Sequence, residues 1–249
     1  MSGHSKWATI KRKKAVTDAK RGKAFTQIIK EITIAARMGG GDAKGNPRLR
    51  LAIDKAKASN MPADNIKRAV QKGTGELPGV TYEDVTYEGY GPGGVALIIE
   101  SVTDNKNRTV SEIRHLLERH SGKLGAANSV AWMFHRKGTM HVSRTQIEES
   151  TLLDAILEAG ADDMRTDEDV YEIVSSPDSF ESVRQNLEAK GIKLESAEIQ
   201  MVPENTVRVE GKEAEQVLKL MEALEEHDDV QHVYANFDID EKVLASFNA

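Results

Sequence analysis

The chain changes both its charge and its periodicity near residue 78. Residues 1–78 carry 18 Lys and Arg against 6 Asp and Glu, a net charge of +12, whereas the remainder carries 16 against 34, a net charge of −18. Apolar residues recur at helical spacing before this point and alternate as in β-strands after it. Two such different parts predict at least two domains, and the basic part predicts a polyanionic partner.

Composition excludes several classes of function. The 249-residue chain contains no Cys, which excludes disulfides, thiolate metal sites and a cysteine nucleophile and is compatible with a reducing cytosol. The basic N-terminus lacks the apolar segment of a secretory signal, and apolar runs such as Val95–Ile99 are far too short to span a membrane. We therefore predict a cytoplasmic protein with no membrane partner.

Residues 1–78 predict a small domain of three helices. Gly39–Gly41 ends the first helix, and Asn46-Pro47 supplies a cap and a first-turn proline for the second. Asn60–Pro62 separates the second helix from the third, which is predicted to stop at Gly73. Lys30 falls off the apolar stripe of the first helix. That stripe consists of Phe25, Ile28, Ile29, Ile32, Ala35 and Ala36. The core is small and Ala-rich, so we expect this domain to be the least stable part.

Residues 79–137 together with 205–249 predict a central α/β domain that follows a linker at Thr74–Val80. The expected elements are strands at Val80–Tyr87 and Val95–Val102, a helix at Asn107–His120, and a buried strand at Ser129–His135 that contains Trp132. Three C-terminal elements are expected to complete the first sheet: a strand at Thr206–Val209, a helix at Glu213–Leu224 and a strand at His232–Asp238.

Residues 138–204 predict an insertion with the element order βαββαβ. This order is that of the split-βαβ or ferredoxin-like unit. Its expected elements are Thr139–Ser143, Leu152–Ala159, Met164–Asp169, Val170–Ser175, Phe180–Lys190 and Leu194–Val202. The fold class predicted for the whole chain is therefore α+β, with a three-helix domain, a central α/β domain and an inserted ferredoxin-like domain.

The basic arm Lys6–Lys14 surrounds Trp7 with five Lys and Arg. Cationic side chains neutralise phosphates, and an aromatic ring can stack on an unpaired base. The alternative is a solvated tail whose Trp7 packs on the helical domain. We predict nucleic-acid contacts by Lys6, Trp7, Lys11, Arg12, Lys13, Lys14, Lys20, Arg21, Lys23, Arg48, Arg50, Lys67 and Arg68, with Lys55, Lys57 and Lys72 extending the patch. No helix shows a pattern that reads a particular base sequence.

A second group of cations follows a buried strand. Lys106 and Arg108 lie at the start of a helix, where the helix dipole disfavours positive charge. An anion bound between them and the free amide groups would account for their position, which makes both residues candidates for nucleic-acid binding. The alternative is that Asp104 caps the helix while the two cations point to water.

Other motifs point to no catalysis. The glycine-dense segment Glu88–Gly94 has neither dinucleotide-binding nor P-loop spacing and predicts a tight turn with positive φ angles. The histidines show no metal-ligand spacing, and carboxylates such as Asp228 and Asp229 fall in runs that predict a solvated surface. No serine lies in a nucleophile elbow. We predict a protein that is not an enzyme, with no catalytic residue, metal or cofactor.

Five segments carry a resemblance to the YebC family, which includes proteins called probable transcriptional regulators and mitochondrial translational activators. They are Gly3–Trp7, Asn60–Ile66, Tyr87–Gly94, Thr103–Thr109 and Met133–Gly138, and the similarity extends over essentially the whole chain. The resemblance implies a helical domain, a central α/β domain, an inserted ferredoxin-like domain and no enzymatic activity.

The resemblance leaves the target open. Some members look like DNA-binding regulators of transcription, and others like translation factors that bind the ribosome and relieve stalling on proline-rich nascent chains. Both need phosphate contacts, so the basic domain cannot separate them. We predict a nucleic-acid-binding regulator of gene expression, with DNA as the first target and the ribosome or its RNA as the alternative; no small-molecule substrate is expected. An adaptor that works through its acidic domains is a third possibility.

Overall fold

A computed structural model describes residues 18–167, 169–240, 243 and 247, and for residues 18–21 it describes the backbone alone. The N-terminal part is helical, with α1 at Asp18–Gly39, α2 at Pro47–Ala58 and α3 at Ala63–Thr74. The predicted cap of α2 is confirmed: Asn46 Oδ1 accepts from the Leu49 amide at 3.1 Å, and its Nδ2 donates to the Ala35 carbonyl of α1 at 2.8 Å. One buried side chain therefore joins two helix ends. The core consists of Ile28, Ile32, Ala35, Ala36, Leu49, Ala52, Ala56, Met61 and Ala69.

Gly73 lies inside α3, which corrects the predicted helix stop. A Cβ atom built on Gly73 would lie 2.3 Å from the carbonyl oxygen of Thr33 in α1. The residue therefore lets two helices approach closely, which only glycine permits. The helix ends at Thr74, and Gly75 follows with a φ of 82°, the left-handed conformation that commonly terminates helices.

The central part contains a sheet of four strands: β1 (Glu83–Tyr90), β2 (Ala96–Thr103), β3 (Lys123–Leu124) and β9 (Val230–Ala235). They pair antiparallel in the order β3-β1-β2-β9. The helices α4 (Lys106–Arg119) and α7 (Gly211–Glu225) share a core with one face of this sheet. The glycine-dense segment between β1 and β2 is a tight turn, as predicted, with a φ of 68° at Gly93.

The second sheet confirms the ferredoxin-like prediction. Its elements are β4 (Phe134–Ser143), α5 (Glu149–Ala159), β5 (Asp163–Thr166), β6 (Val170–Ser175), α6 (Phe180–Ala189) and β7 (Ser196–Pro203). The strands pair antiparallel in the order β5-β6-β4-β7. Both helices pack on one face of the sheet, and the buried core lies between the helices and that face.

Three expectations for the strands need correction. Residues 131–133 form a 3₁₀ turn, and Trp132 is 68% exposed instead of lying in a buried strand. The strand β4 then runs without interruption through residue 138, where an inserted domain was predicted to begin. The short strand β8 (Val207–Arg208) pairs in parallel with β10 (Phe237–Asp238). Among the described C-terminal residues, only β9 therefore joins the first sheet. The division into domains remains a prediction.

Within the described residues, none of the helices has both the length and the apolar composition needed to cross a bilayer.

Candidate nucleic-acid interface

The predicted nucleic-acid-binding residues fall into separate groups in the structure. Six of them lie outside the described residues: Lys6, Trp7, Lys11, Arg12, Lys13 and Lys14. Lys20 and Arg21 belong to the first turns of α1, where the backbone alone is described, and Lys23 follows as a partly buried side chain. Nucleic-acid binding by all of these residues remains a prediction.

The exposed face of α3 is cationic. It presents Lys67, Arg68 and Lys72 to solvent, away from the side that packs on α1. Lys55 and Lys57 are exposed in the last turn of α2. Across residues 18–167 and 169–240, no carboxylate lies within ion-pair distance of these five side chains. Their charges are therefore available to an external anion.

Arg48 and Arg50 instead pair with carboxylates. Arg48 donates to Glu31 through Nε at 2.6 Å and to Asp84, just inside β1, through Nη1 at 2.8 Å. The hydrogen bonds that Arg48 donates to these two carboxylates raise its pKa further above the usual value. Arg50 lies 3.4 Å from Glu181 of α6. The two arginines thus tie the helical part to the first sheet and to the ferredoxin-like unit.

Lys106 and Arg108 are also engaged within the chain. Lys106 pairs with Glu83, and Arg108 Nη2 lies 2.8 Å from both Asp104 and Asp229. The cap of α4 is Asn105, whose side chain accepts from the Arg108 amide, so the alternative in which Asp104 caps the helix is wrong. Neither cation points freely to water. Hydrogen bonds to carboxylates raise the pKa of Arg108, the bond to Asp229 being the strongest. Anion binding by Lys106 and Arg108 remains a prediction. The ion pairs within the chain weaken it, because an anion would have to compete with these carboxylates.

Asp229 is the centre of this network and is only 3% exposed, which corrects its prediction as a solvated carboxylate. Its Oδ1 accepts from Lys30 Nζ at 2.7 Å, and its Oδ2 accepts from the hydroxyl groups of Thr103 and Thr109 and from Arg108. Burial alone would raise the pKa of Asp229, but the hydrogen bonds from Lys30, Arg108 and Thr109 outweigh it and hold the pKa well below its usual value. Asp229 is therefore ionised at neutral pH.

Lys30 is buried as well, although it falls off the apolar stripe of α1. Its Nζ donates to the Asp229 carboxylate and to the Asp228 carbonyl oxygen. One turn earlier in α1, Gln27 Nε2 donates to the carbonyl oxygen of Val230 at 2.7 Å. The helical part is therefore held to the first residue of β9 and the two residues before it by a buried ion pair and two further hydrogen bonds to backbone oxygens.

A cleft of about 800 Å³ opens beside this network, between α1 and α4. Glu112, His227 and Asp229 meet there with their ligand atoms within 4.8 Å of one another, an arrangement that sequence spacing had not indicated. His227 Nδ1 accepts from the Asp229 amide, so its Nε2 donates to Glu112 at 2.9 Å. Because Lys30 and Arg108 already balance the charge of Asp229 and Glu112 is exposed, the cluster extends the Asp229 network from the interior to the surface.

Glu88 organises a loop that sequence reasoning treated only as part of a turn. Its buried carboxylate accepts from the backbone amides of Asn128, Val130 and Ala131 at 2.6–2.8 Å. Burial alone would raise the pKa of Glu88, but these amide hydrogen bonds lower it by more. The loop is thereby fixed directly before Trp132.

Replacing Glu88 with Gln is expected to destabilise the protein by about 1–3 kcal/mol. The amide group can accept at one oxygen only, which leaves at least one buried N–H without its partner. Urea denaturation followed by circular dichroism measures the change. The control is Glu118→Gln, which makes the same change at an exposed position. An equal effect of the two substitutions would contradict this role of Glu88.

An exposed cationic helical part, joined by ion pairs to an antiparallel sheet and a ferredoxin-like unit, defines an α+β protein of three parts. Two models of one protein family match the chain. "TACO1/YebC protein N-terminal domain" matches residues 5–76, and "TACO1/YebC second and third domain" matches residues 82–237. The chain belongs to the TACO1/YebC family, which confirms the resemblance seen in the sequence.

Similar proteins cover the chain from end to end. A probable transcriptional regulatory protein of Chlorobium phaeobacteroides is 55% identical over 249 residues, with full coverage of both chains. One of Geobacter sulfurreducens is 57% identical over 239 residues and 96% of each chain. The crystal structure of a conserved hypothetical protein from Aquifex aeolicus superposes with a TM-score of 0.85 at 47% identity, covering 92% of this chain and 95% of that one.

Proposed function

We propose that this protein is a non-enzymatic regulator of gene expression that binds nucleic-acid phosphates through its helical domain. The observation that carries the proposal is the set of exposed cations on α2 and α3, which have no carboxylate partner among the described residues. The arm before α1 adds five Lys and Arg within residues 6–14. The rest of the chain carries a net charge of −18, so the helical domain attracts a polyanion most strongly.

DNA is the first target of the proposal. Its support is the name shared by relatives at 55–57% identity, probable transcriptional regulatory protein. Binding through lysine and arginine to phosphates positions a protein on nucleic acid without selecting a base sequence. The proposed contact therefore has broad sequence tolerance and depends strongly on salt.

A double charge reversal tests the proposal. Lys67→Glu with Arg68→Glu should weaken binding to duplex DNA roughly tenfold or more, because two charged contacts are lost. It should also reduce the slope of log K against log salt by about 2. Fluorescence anisotropy with a labelled 20-base-pair duplex at several salt concentrations measures both quantities.

The matched control is Lys212→Glu with Lys219→Glu, which makes the same change in net charge at exposed positions of α7. This variant should keep nearly all of the affinity. If both variants lose affinity equally, the effect is that of overall charge, and the helical domain is not the binding site.

The ribosome or its RNA is the second candidate target. The observation that favours it is the acidic remainder of the chain, with a net charge of −18 over residues 79–249, which would repel a long duplex on most sides. Folded RNA can offer phosphates to one confined surface. Sedimentation of the native chain and the Lys67/Arg68 variant with purified ribosomes at physiological salt compares this target with DNA. The ribosome would be favoured if the native chain cosediments with ribosomes, the Lys67/Arg68 variant does not, and the native chain fails to bind duplex DNA.

A further inference from the structure

Trp132 is an exposed aromatic ring in a fixed orientation. The side chain is 68% exposed, and its Nε1 donates to the carbonyl oxygen of Ser129 at 3.2 Å. The hydroxyl group of Tyr90 donates to the same carbonyl oxygen at 3.2 Å. A tryptophan that leaves most of its apolar surface in water while its polar atom is satisfied internally is suited to a partner.

The loop that carries Trp132 is rigid. Glu88 binds three of its backbone amides, and Asn128 holds a left-handed conformation with a φ of 63°. A ring that is already ordered loses little conformational entropy when a partner binds it. The loop therefore preorganises the Trp132 ring for binding.

The sequence segment that carries Trp132 is basic within an otherwise acidic part of the chain. No Asp or Glu occurs between Glu118 and Glu148, although residues 79–249 as a whole carry a net charge of −18. The five Lys and Arg of this segment are Arg119, Lys123, Arg136, Lys137 and Arg144. Lys123 is exposed, and its Nζ lies 5.3 Å from the centre of the Tyr90 ring. An acid-free segment around an exposed ring fits an anionic partner better than a neutral protein surface.

We propose that Trp132 is a stacking platform for an unpaired nucleobase, with Lys123 placed to meet an adjacent phosphate. This site is separate from the helical domain and would give the protein a contact specific for single-stranded segments. The inference rests on the proposed function, because it requires a nucleic-acid partner. An aromatic ring beside a cation is the arrangement by which proteins bind single strands without selecting their sequence.

The test uses the full chain with Trp7→Phe, so that Trp132 is the only tryptophan. A labelled 20-nucleotide single-stranded RNA reports binding by anisotropy, while indole fluorescence reports contact with the ring. We expect quenching of the indole emission that saturates together with the anisotropy. In the same background, Trp132→Ala should weaken RNA binding by about 5- to 150-fold, the range found when base stacking is removed.

Two further variants separate stacking from other effects. Trp132→Phe keeps an aromatic face and should retain most of the affinity, whereas Leu157→Ala removes an apolar side chain that is 66% exposed on α5 and should change nothing. The stacking platform would be overturned if RNA binds without quenching and Trp132→Ala binds RNA as tightly as its parent. The proposed function would then stand, and a protein partner would be the remaining role for Trp132. Failure of both RNA and duplex DNA to bind the native chain would overturn both proposals.

Discussion

Replacing Asp229 with Asn is expected to destabilise the packing of α1 on the sheet by about 3–5 kcal/mol. Lys30 would then keep its buried positive charge without a counter-charge, and removing one partner of a buried ion pair costs this much. Arg108 contributes little to the loss because its side chain is 43% exposed and can be solvated. Hydrogen exchange should show faster exchange of the amides in α1 and β9, and urea denaturation should show lower stability.

The neighbouring substitution Asp228→Asn is the control. Asp228 is exposed, and it binds Lys30 through its carbonyl oxygen, which the substitution leaves unchanged. Equal effects of the two substitutions would show that the Asp229 carboxylate does not stabilise the packing of α1 on the sheet.

The same ion pair has a predictable dependence on pH. Because the folded state holds the pKa of Asp229 below the usual value of 3.8, its contribution to stability is complete above about pH 4. The contribution is lost as the pH falls further toward the folded-state pKa. The stability difference between the native chain and Asp229→Asn should therefore shrink below pH 4.

Replacing Gly73 with Ala is expected to destabilise the helical part by about 1–3 kcal/mol. The new methyl group would meet the Thr33 carbonyl oxygen at 2.3 Å and Ala36 Cβ at 2.8 Å, so α1 and α3 would have to separate. In an open helix the same substitution stabilises, because alanine has the higher helix propensity. The sign of the effect therefore reports the close helix contact.

Gly22 supplies the matched control, because a Cβ atom at this position of α1 would have no described atom within 4 Å. Gly22→Ala should stabilise the protein by about 0.5–1 kcal/mol. Thermal melts followed by circular dichroism at 222 nm compare the two substitutions. A neutral or stabilising Gly73→Ala would contradict the close packing of α1 on α3.

The sequence indicated correctly those features that depend on near neighbours. The Asn46 cap, the turn at Gly93 and the βαββαβ order of the ferredoxin-like unit each follow from residue types a few positions apart. Gly73 shows the limit of this reasoning, since a glycine that ends a helix and one that admits a second helix are alike in sequence. The contact with Thr33, forty positions away, distinguishes them.

Charge illustrates the same division. The sequence by itself determined that residues 1–78 are basic and that the remainder is acidic, since charge depends on composition alone. Only the tertiary structure separated the free cations Lys67 and Arg68 from Arg48, which binds carboxylates of two other segments. Lys30 and Asp229 are 199 positions apart, and Trp132 is exposed because the loop bound to Glu88 turns its ring outward. Burial and pairing depend on which distant segments meet, and helical or strand periodicity does not record those contacts.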